Sequence, residues 1–331
     1  MRRESTHRKK IRHARYAVLT ILAVSLIVFI AISVLAVLNE GLGKFTATLE
    51  SINPFYYLLA LGCVFLSIMT GFPKWEMFIK KLGVRISSNK NFAIYMSMFS
   101  MDITPGRWGR AVVSYTINKL TKTDFAVTFP AVVADIFTDF LGFIAISLVA
   151  SFLVQRYAII SITISVLLLI PFFFVYIKAP FDYVKRWFAR FRRLRGTIRT
   201  AEMYFKSARS LDFGTYLYAM LFTIPSAVLA GMALYFVILG FGINIGPGFL
   251  PTVLFIYTSS LLIGMVTGIP GTLGVTDAAL LSYLVVFFGG MGVTFGIASA
   301  ITIFFRIASI WFTEGVSTGF LVYTMRYWKK Q

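Results

Sequence analysis

Long apolar runs alternate with short polar segments along the whole chain, and the polar segments are mostly basic. The runs approach the roughly 20 apolar residues that cross a bilayer core, and they predict full spans at about 17–38, 55–72, 125–154, 157–177, 213–240 and 293–323. The pattern indicates an all-α, polytopic integral membrane protein. We expect one membrane domain over 17–325, with short tails at 1–16 and 326–331.

Two further apolar segments, 92–118 and 250–290, are each interrupted by the pattern P-G-x-x-G. The break residues are Pro105, Gly106 and Gly109 in the first segment and Pro270, Gly271 and Gly274 in the second. Matched breaks in two halves, about 17–154 and 157–325, predict inverted repeats whose two re-entrant helical hairpins meet at a binding site. The alternative is that both patterns are ordinary helix-ending turns.

The chain carries a net charge of +19, and its distribution argues against nucleic acid as a partner. Most Lys and Arg lie in the tails and in alternate loops such as 73–91 and 178–212, which is the positive-inside pattern. We therefore predict a multi-pass protein of the cytoplasmic membrane with both termini cytoplasmic and anionic membrane lipids as partners. The basic loop 178–212 is either an amphipathic surface helix or a solvated loop. The sequence leaves the oligomeric state open, a homo-oligomer included.

Histidine and cysteine are scarce, which narrows the chemistry. His7 and His13 both lie in the N-terminal tail, and Cys63 is the single cysteine. A histidine metal site and a Ser-His-Asp or Cys-His catalytic site are therefore excluded from the membrane domain. We expect no cofactor and no catalytic constellation.

Ionisable residues inside apolar segments usually mark function, because a charge at mid-bilayer costs about 2.5–3.5 kcal/mol on insertion scales. Asp135 and Asp139 are four residues apart on one helical face, and we expect an Asp–Arg pair to join the two halves. Arg107 and Arg110 open a half-helix whose N-terminus attracts anions, so they suit phosphate. Asp277 has an alternative role in offsetting a helix dipole. For Arg306 with Glu314, the alternative to a substrate contact is a structural pair between helices.

The residues at the two breaks resemble those of a known family. Ile103–Gly109 (ITPGRWG) and Ile269–Ala279 (IPGTLGVTDAA) are similar to the two signatures of the lysylphosphatidylglycerol synthase transmembrane-region family, and Asp139 and Arg306 match family positions. The resemblance implies a flippase-type membrane domain without the soluble synthase domain. The sequence departs from the family at Thr272, Thr276, Asp277, Arg110 and Ile136.

The residues and the resemblance together predict a flippase or transporter for a lipid or lipid-linked head group that does not use ATP. The predicted substrate-binding set is Thr104, Arg107, Arg110, Asp135, Asp139, Thr272, Thr276, Asp277, Arg306 and Glu314. Two alternatives stay open. One is a lipid- or polyprenyl-modifying enzyme that would use Asp102, Asp135 and Asp139 around a divalent ion, and the other is a small-solute transporter.

Overall fold

The chain folds into helices, seen in a computed structural model that describes residues 27–28, 30–102, 104–154, 203–266, 272 and 274–327. The α-helices are α1 Ile30–Glu40, α2 Leu42–Glu50, α3 Pro54–Lys81, α4 Ser88–Met98, α5 Val112–Thr121, α6 Phe125–Val154, α7 Phe213–Gly240, α8 Leu250–Val266, α9 Val275–Phe288, α10 Phe295–Arg306 and α11 Thr313–Tyr327. Short 3₁₀ turns occupy Phe99–Met101, Pro105–Ala111, Pro247–Phe249 and Gly289–Met291, and a π-helical turn occupies Ile307–Phe312.

Five helical stretches in these ranges are long and apolar enough to cross a membrane, which confirms the polytopic helical class. They are Pro54–Lys81, Phe125–Val154, Phe213–Gly240, Pro247–Met265 and Phe295–Arg326. The bounds of α6 and α7 coincide with the predicted spans 125–154 and 213–240. The predicted span 157–177 and most of the basic loop 178–212 lie outside the described residues.

Two segments of the first half that the sequence predicts to be loops are partly helical. The segment 39–54 contains α2, which follows α1 after a bend of 118° at Gly41. The helix α3 does not end near residue 72 but continues through Pro73 to Lys81, so much of the predicted loop 73–91 belongs to a span. Proline is tolerated inside membrane helices because neighbouring groups satisfy the freed backbone, and Lys74 is accommodated by burial against carboxylates described below.

The helices α3 and α7 pack antiparallel and in register along their whole lengths, and this pair joins the first half to the second. Asn53 N–H at the start of α3 donates to the carbonyl of Gly240 at the end of α7, 2.8 Å away. At the midpoint of both helices, Ser226 Oγ donates to the carbonyl of Ser67 at 2.8 Å. At the other end, Lys81 Nζ lies 3.4 Å from Asp212, whose hydrogen bonds from Thr215 lower its pKa. The start of each helix thus lies beside the end of the other, and the pairing is kept along both lengths.

The first P-G-x-x-G pattern falls at a break between α4 and α5, which contact each other. The second pattern follows α8 and precedes α9 in the chain; these two helices also contact each other, and most of the pattern lies outside the described residues. At 1.5 Å per residue, α4 and α5 are each about 15 Å long, half of a bilayer core. The break in the first segment is confirmed. That the chain enters and leaves the membrane on the same face in this segment stays a prediction.

Candidate functional site

A polar cavity of about 130 Å³ lies where the two halves meet. Its walls come from the central turns of α3, α6 and α7, represented by Ser67, Asp139 and Ser226, so it lies at half the length of three membrane-spanning helices. The first break contributes Arg107 and Arg110. Six charged side chains line this cavity in the described ranges: Lys74, Asp102, Arg107, Arg110, Asp135 and Asp139.

Arg110 is at the centre of this ion cluster, and its side chain is 1% exposed. Its Nε and Nη2 donate to the two carboxylate oxygens of Asp102, at 2.5 and 2.6 Å. Its Nη1 lies 2.6 Å from Asp135 Oδ2 and 3.3 Å from Asp139 Oδ2. The guanidinium also lies 4.8 Å from the centre of the Phe99 ring. All three nitrogens are therefore committed to protein carboxylates, and Arg110 ties the break to α6.

Lys74 approaches the same carboxylates from α3. Its Nζ is 3.0 Å from Asp135 Oδ1 and 2.7 Å from Asp139 Oδ1, and the side chain is buried. The sequence interpretation placed this residue in a cytoplasmic loop and missed its role. The signal was present in the apolar residues Trp75, Phe78 and Ile79, which continue the helical spacing beyond Pro73 and are buried.

Arg107 is the cation of the cluster that remains open to the cavity, with 23% of its side chain exposed. Its Nη1 donates to Asp139 Oδ2 at 3.1 Å, while its Nε is 3.9 Å from Asp102 Oδ2. Asp102 and Asp139 are also partly exposed, at 23% and 21%. The open groups are thus one guanidinium and two carboxylates, held in place by Lys74 and Arg110.

The backbone of the first break is held by Thr104. Its hydroxyl donates to the carbonyl of Met101 at 2.8 Å and accepts the N–H of Gly109 at 2.6 Å. Gly109 has no room for a side chain, because an added Cβ would lie 2.7 Å from Met101 and from Thr104 Cγ2. Arg107 has a left-handed φ of 58°, which turns the chain at the third position of the pattern.

The second break has its own ion pair. Asp277 in the first turn of α9 accepts the N–H of Gly274 at 2.8 Å and also a hydrogen bond from Arg306 Nε of α10. Both side chains are buried. Among the described residues, Arg306 Nη2 and Thr276 Oγ1 are buried without a hydrogen-bond partner. Asp277 therefore caps the N-terminus of α9 and pairs with α10. This agrees with the alternative role given to it above, at the positive end of a helix dipole.

The structure describes only two of the four remaining predicted residues of the second half. Thr272 has a φ of 56° and packs against α8, since a Cβ added to Gly264 would lie 2.8 Å from Thr272 Cβ. Glu314 lies in the first turn of α11. Pro270 and Gly271 lie outside the described residues, so their predicted part in the break stays a prediction.

The charged residues next to the two patterns pair in a similar way, with the charges reversed. In the first, Arg107 and Arg110 follow the proline and pair with Asp135 and Asp139 on the next long helix. In the second, Asp277 follows the break and pairs with Arg306 on the next helix. In the described ranges, each direct Asp–Arg contact thus joins two residues of the same half. The prediction that such a pair joins the two halves is not met there.

The comparisons with known proteins agree with this architecture. Two proteins of Methanothermobacter thermautotrophicus, each named UPF0104 membrane protein, are similar over nearly their whole lengths. One is 22% identical over 313 residues, covering 87% of this chain and 90% of the relative. The other is 25% identical over 329 residues, covering 89% of each. The family described as the lysylphosphatidylglycerol synthase TM region matches residues 20–314. The chain belongs to the lysylphosphatidylglycerol synthase transmembrane-region family.

Proposed function

We propose that this protein moves the head group of a phospholipid or lipid-linked substrate across the membrane without ATP. The observation that carries the proposal is the ion-lined cavity at half the length of α3, α6 and α7, where the two halves meet. Ionisable groups at this depth are costly and usually mark a substrate path. Membership of the family supports a role connected with membrane lipids.

The arrangement of α3 and α7 supports alternating access to this cavity. The two helices are antiparallel and in register, as one pair of matching helices from two inverted repeats would be. The third residue of each P-G-x-x-G pattern has nearly the same φ, 58° at Arg107 and 56° at Thr272. These features fit inverted repeats, in which one half rocks against the other around a site at mid-membrane.

Arg107 is the residue that would hold the phosphate. Its guanidinium is partly exposed to the cavity and, among the described residues, has one contact below 3.5 Å to a carboxylate, that of Asp139. A planar guanidinium matches two phosphate oxygens. Arg110 and Lys74 act as positioning residues in this proposal, because their donors already bind carboxylates.

The same contacts weigh against the alternative of metal-assisted transfer. Asp102, Asp135 and Asp139 each face a guanidinium or ammonium group at 3.3 Å or less. Their oxygens are therefore engaged with cations of the protein. A small polar solute remains the second candidate, favoured by the size of the cavity, because about 130 Å³ accommodates several waters.

Scrambling in proteoliposomes tests the proposal. Vesicles of phosphatidylcholine and phosphatidylglycerol would carry tail-labelled phosphatidylglycerol, and dithionite would report the label reaching the outer leaflet. We expect the protein to accelerate scrambling and Arg107→Gln to slow it about tenfold, since losing a charge-assisted hydrogen bond of about 1.5 kcal/mol corresponds to that factor. Lys81→Gln, at an exposed pair outside the cavity, is the matched control and should keep the wild-type rate.

Two results would contradict the proposal. One is a wild-type rate no faster than in protein-free vesicles. The other is equal scrambling by wild type and Arg107→Gln. A parallel measurement of entrapped glycerol phosphate separates the second candidate, because release of this solute without lipid scrambling would favour solute transport.

We also propose a cytoplasmic-membrane location with the C-terminal end of α3 on the cytoplasmic side. Although Lys74 is buried rather than in a loop, Lys80, Lys81, Arg85 and Lys90 remain at that end of α3. Basic residues that flank spans favour the cytoplasmic face. A cysteine placed at Lys90 should react with an impermeant maleimide in inside-out vesicles and not in intact cells. The opposite pattern would reverse the topology.

A further inference from the structure

The two walls of the cavity differ in chemistry. In the described ranges, all six charged side chains of the cavity come from the first half. The second half contributes hydroxyl groups and small apolar residues instead. The hydroxyl residues on that wall are Thr223, Ser226, Tyr257, Ser309 and Thr313. A ligand in the cavity would therefore meet charge on one side and neutral donors and acceptors on the other.

Tyr257 reaches the cavity from α8. Its ring is held edge-on between Phe143 of α6 and Phe305 of α10, with centroid separations of 6.0 and 5.8 Å. Tyr257 lines the same cavity as Arg107 and Asp139 of the first half. No hydrogen bond engages its hydroxyl within the part of the chain that the structure describes. The ring is thus fixed in the wall of the cavity while the hydroxyl has no protein partner there.

Ser309 contributes a second hydroxyl that has no partner in the described residues. It lies in the π-helical turn Ile307–Phe312, and such turns are frequent at functional sites. Its Oγ is buried and has no hydrogen-bond partner among the described residues. Leaving a buried hydroxyl unsatisfied costs about 1–3 kcal/mol, which a ligand could recover. By contrast, Thr223 and Ser226 donate to the backbone carbonyls of Ala219 and Ser67.

We propose that the second half selects head groups that carry hydroxyls, such as glycerol or a sugar, through Tyr257 and Ser309. This inference rests on the proposed function, in which Arg107 holds the phosphate. A hydroxyl both donates and accepts hydrogen bonds, so it can pair with the hydroxyls of a polyol in either direction. A choline head group offers no donor, and its trimethylammonium would leave both side chains unsatisfied.

The selection is measured as a ratio of two scrambling rates, taken in vesicles of the same composition with the same protein preparation. Vesicles of phosphatidylcholine and phosphatidylglycerol would carry trace tail-labelled phosphatidylglycerol, phosphatidylinositol or phosphatidylcholine in separate samples. We expect the glycerol and inositol lipids to move about tenfold faster than the choline lipid, since a site built for hydroxyls discriminates strongly against analogues without them. Because each ratio is taken on the same protein, it does not depend on the folded fraction.

Tyr257→Phe keeps the ring and removes only the hydroxyl, and Ser309→Ala removes the other. Each should lower the ratio about threefold or more, roughly the loss of one hydrogen bond. Tyr218→Phe, on an exposed face of α7, is the matched control and should leave the ratio unchanged. Activity on inositol but not glycerol would assign the site to larger polyols within the same class.

The outcomes separate this inference from the proposed function. If the wild type scrambles all lipids at one rate and neither substitution changes it, head-group transport stands and the selection by hydroxyls is overturned. If Tyr257→Phe slows all lipids equally, Tyr257 is a structural residue and the inference also fails. Absence of scrambling by the wild type would overturn both.

Discussion

Arg110→Gln should remove most folded protein from the membrane, whereas Arg107→Gln, the same change three residues earlier, should leave the fold intact. Arg110 is 1% exposed and contacts three carboxylates, those of Asp102, Asp135 and Asp139. Without it, two positive charges face three negative ones in a buried cluster. Breaking a buried ion pair costs about 3–5 kcal/mol, a large part of the 5–15 kcal/mol by which domains are typically stable.

Arg107 is different because it is partly exposed and contacts Asp139 through one nitrogen. Its replacement by glutamine should keep the thermal midpoint within a few degrees while transport falls. Fluorescence-detected size exclusion after heating in detergent measures both variants in parallel. Arg110→Lys provides a further comparison, since it restores the charge but not the forked contact with Asp102, and we expect intermediate stability. A well-folded Arg110→Gln protein would show that the cluster is not structural.

The membrane spans could be predicted from sequence because span length depends on local composition. An apolar run between polar ends is sufficient to place Phe125–Val154 and Phe213–Gly240, and a proline–glycine pair inside such a run is sufficient to place the first break. The limit appears at Pro73, where a proline followed by lysine has the same local features as a loop. Whether the helix continues depends on whether the lysine finds a buried partner.

The ion pairs of the site could not be predicted either, because they depend on contacts between residues that are far apart in the sequence. Composition identifies costly charges at Asp135, Asp139 and Arg110, but their pairing depends on which helix faces lie together. The expectation that Asp–Arg pairs cross between halves ignored Lys74, which supplies charge to Asp135 and Asp139 from within the first half. Tyr257 gave no sequence signal, because one tyrosine among 16 in an apolar chain is usually a packing residue.

The pair formed by Arg306 and Asp277 offers the sharpest test of how the second break is held. Arg306→Met should destabilise the protein by about 3–5 kcal/mol, because it leaves Asp277 buried and without its cation. Adding Asp277→Asn should recover much of that loss. Asparagine carries no charge, and its side-chain oxygen can still accept the N–H of Gly274, which Asp277 accepts at 2.8 Å.

A double-mutant cycle of Arg306→Met and Asp277→Asn isolates this coupling from their separate effects. Thermal midpoints in detergent for the four proteins give the cycle, and the double variant should be more stable than Arg306→Met alone. The exposed pair Lys81 and Asp212, with side chains 44% and 64% exposed, is the control. Its cycle of Lys81→Gln and Asp212→Asn should show no measurable coupling, because water screens exposed pairs. Simple additivity at Arg306 and Asp277 would mean that each side chain stabilises the break through other contacts.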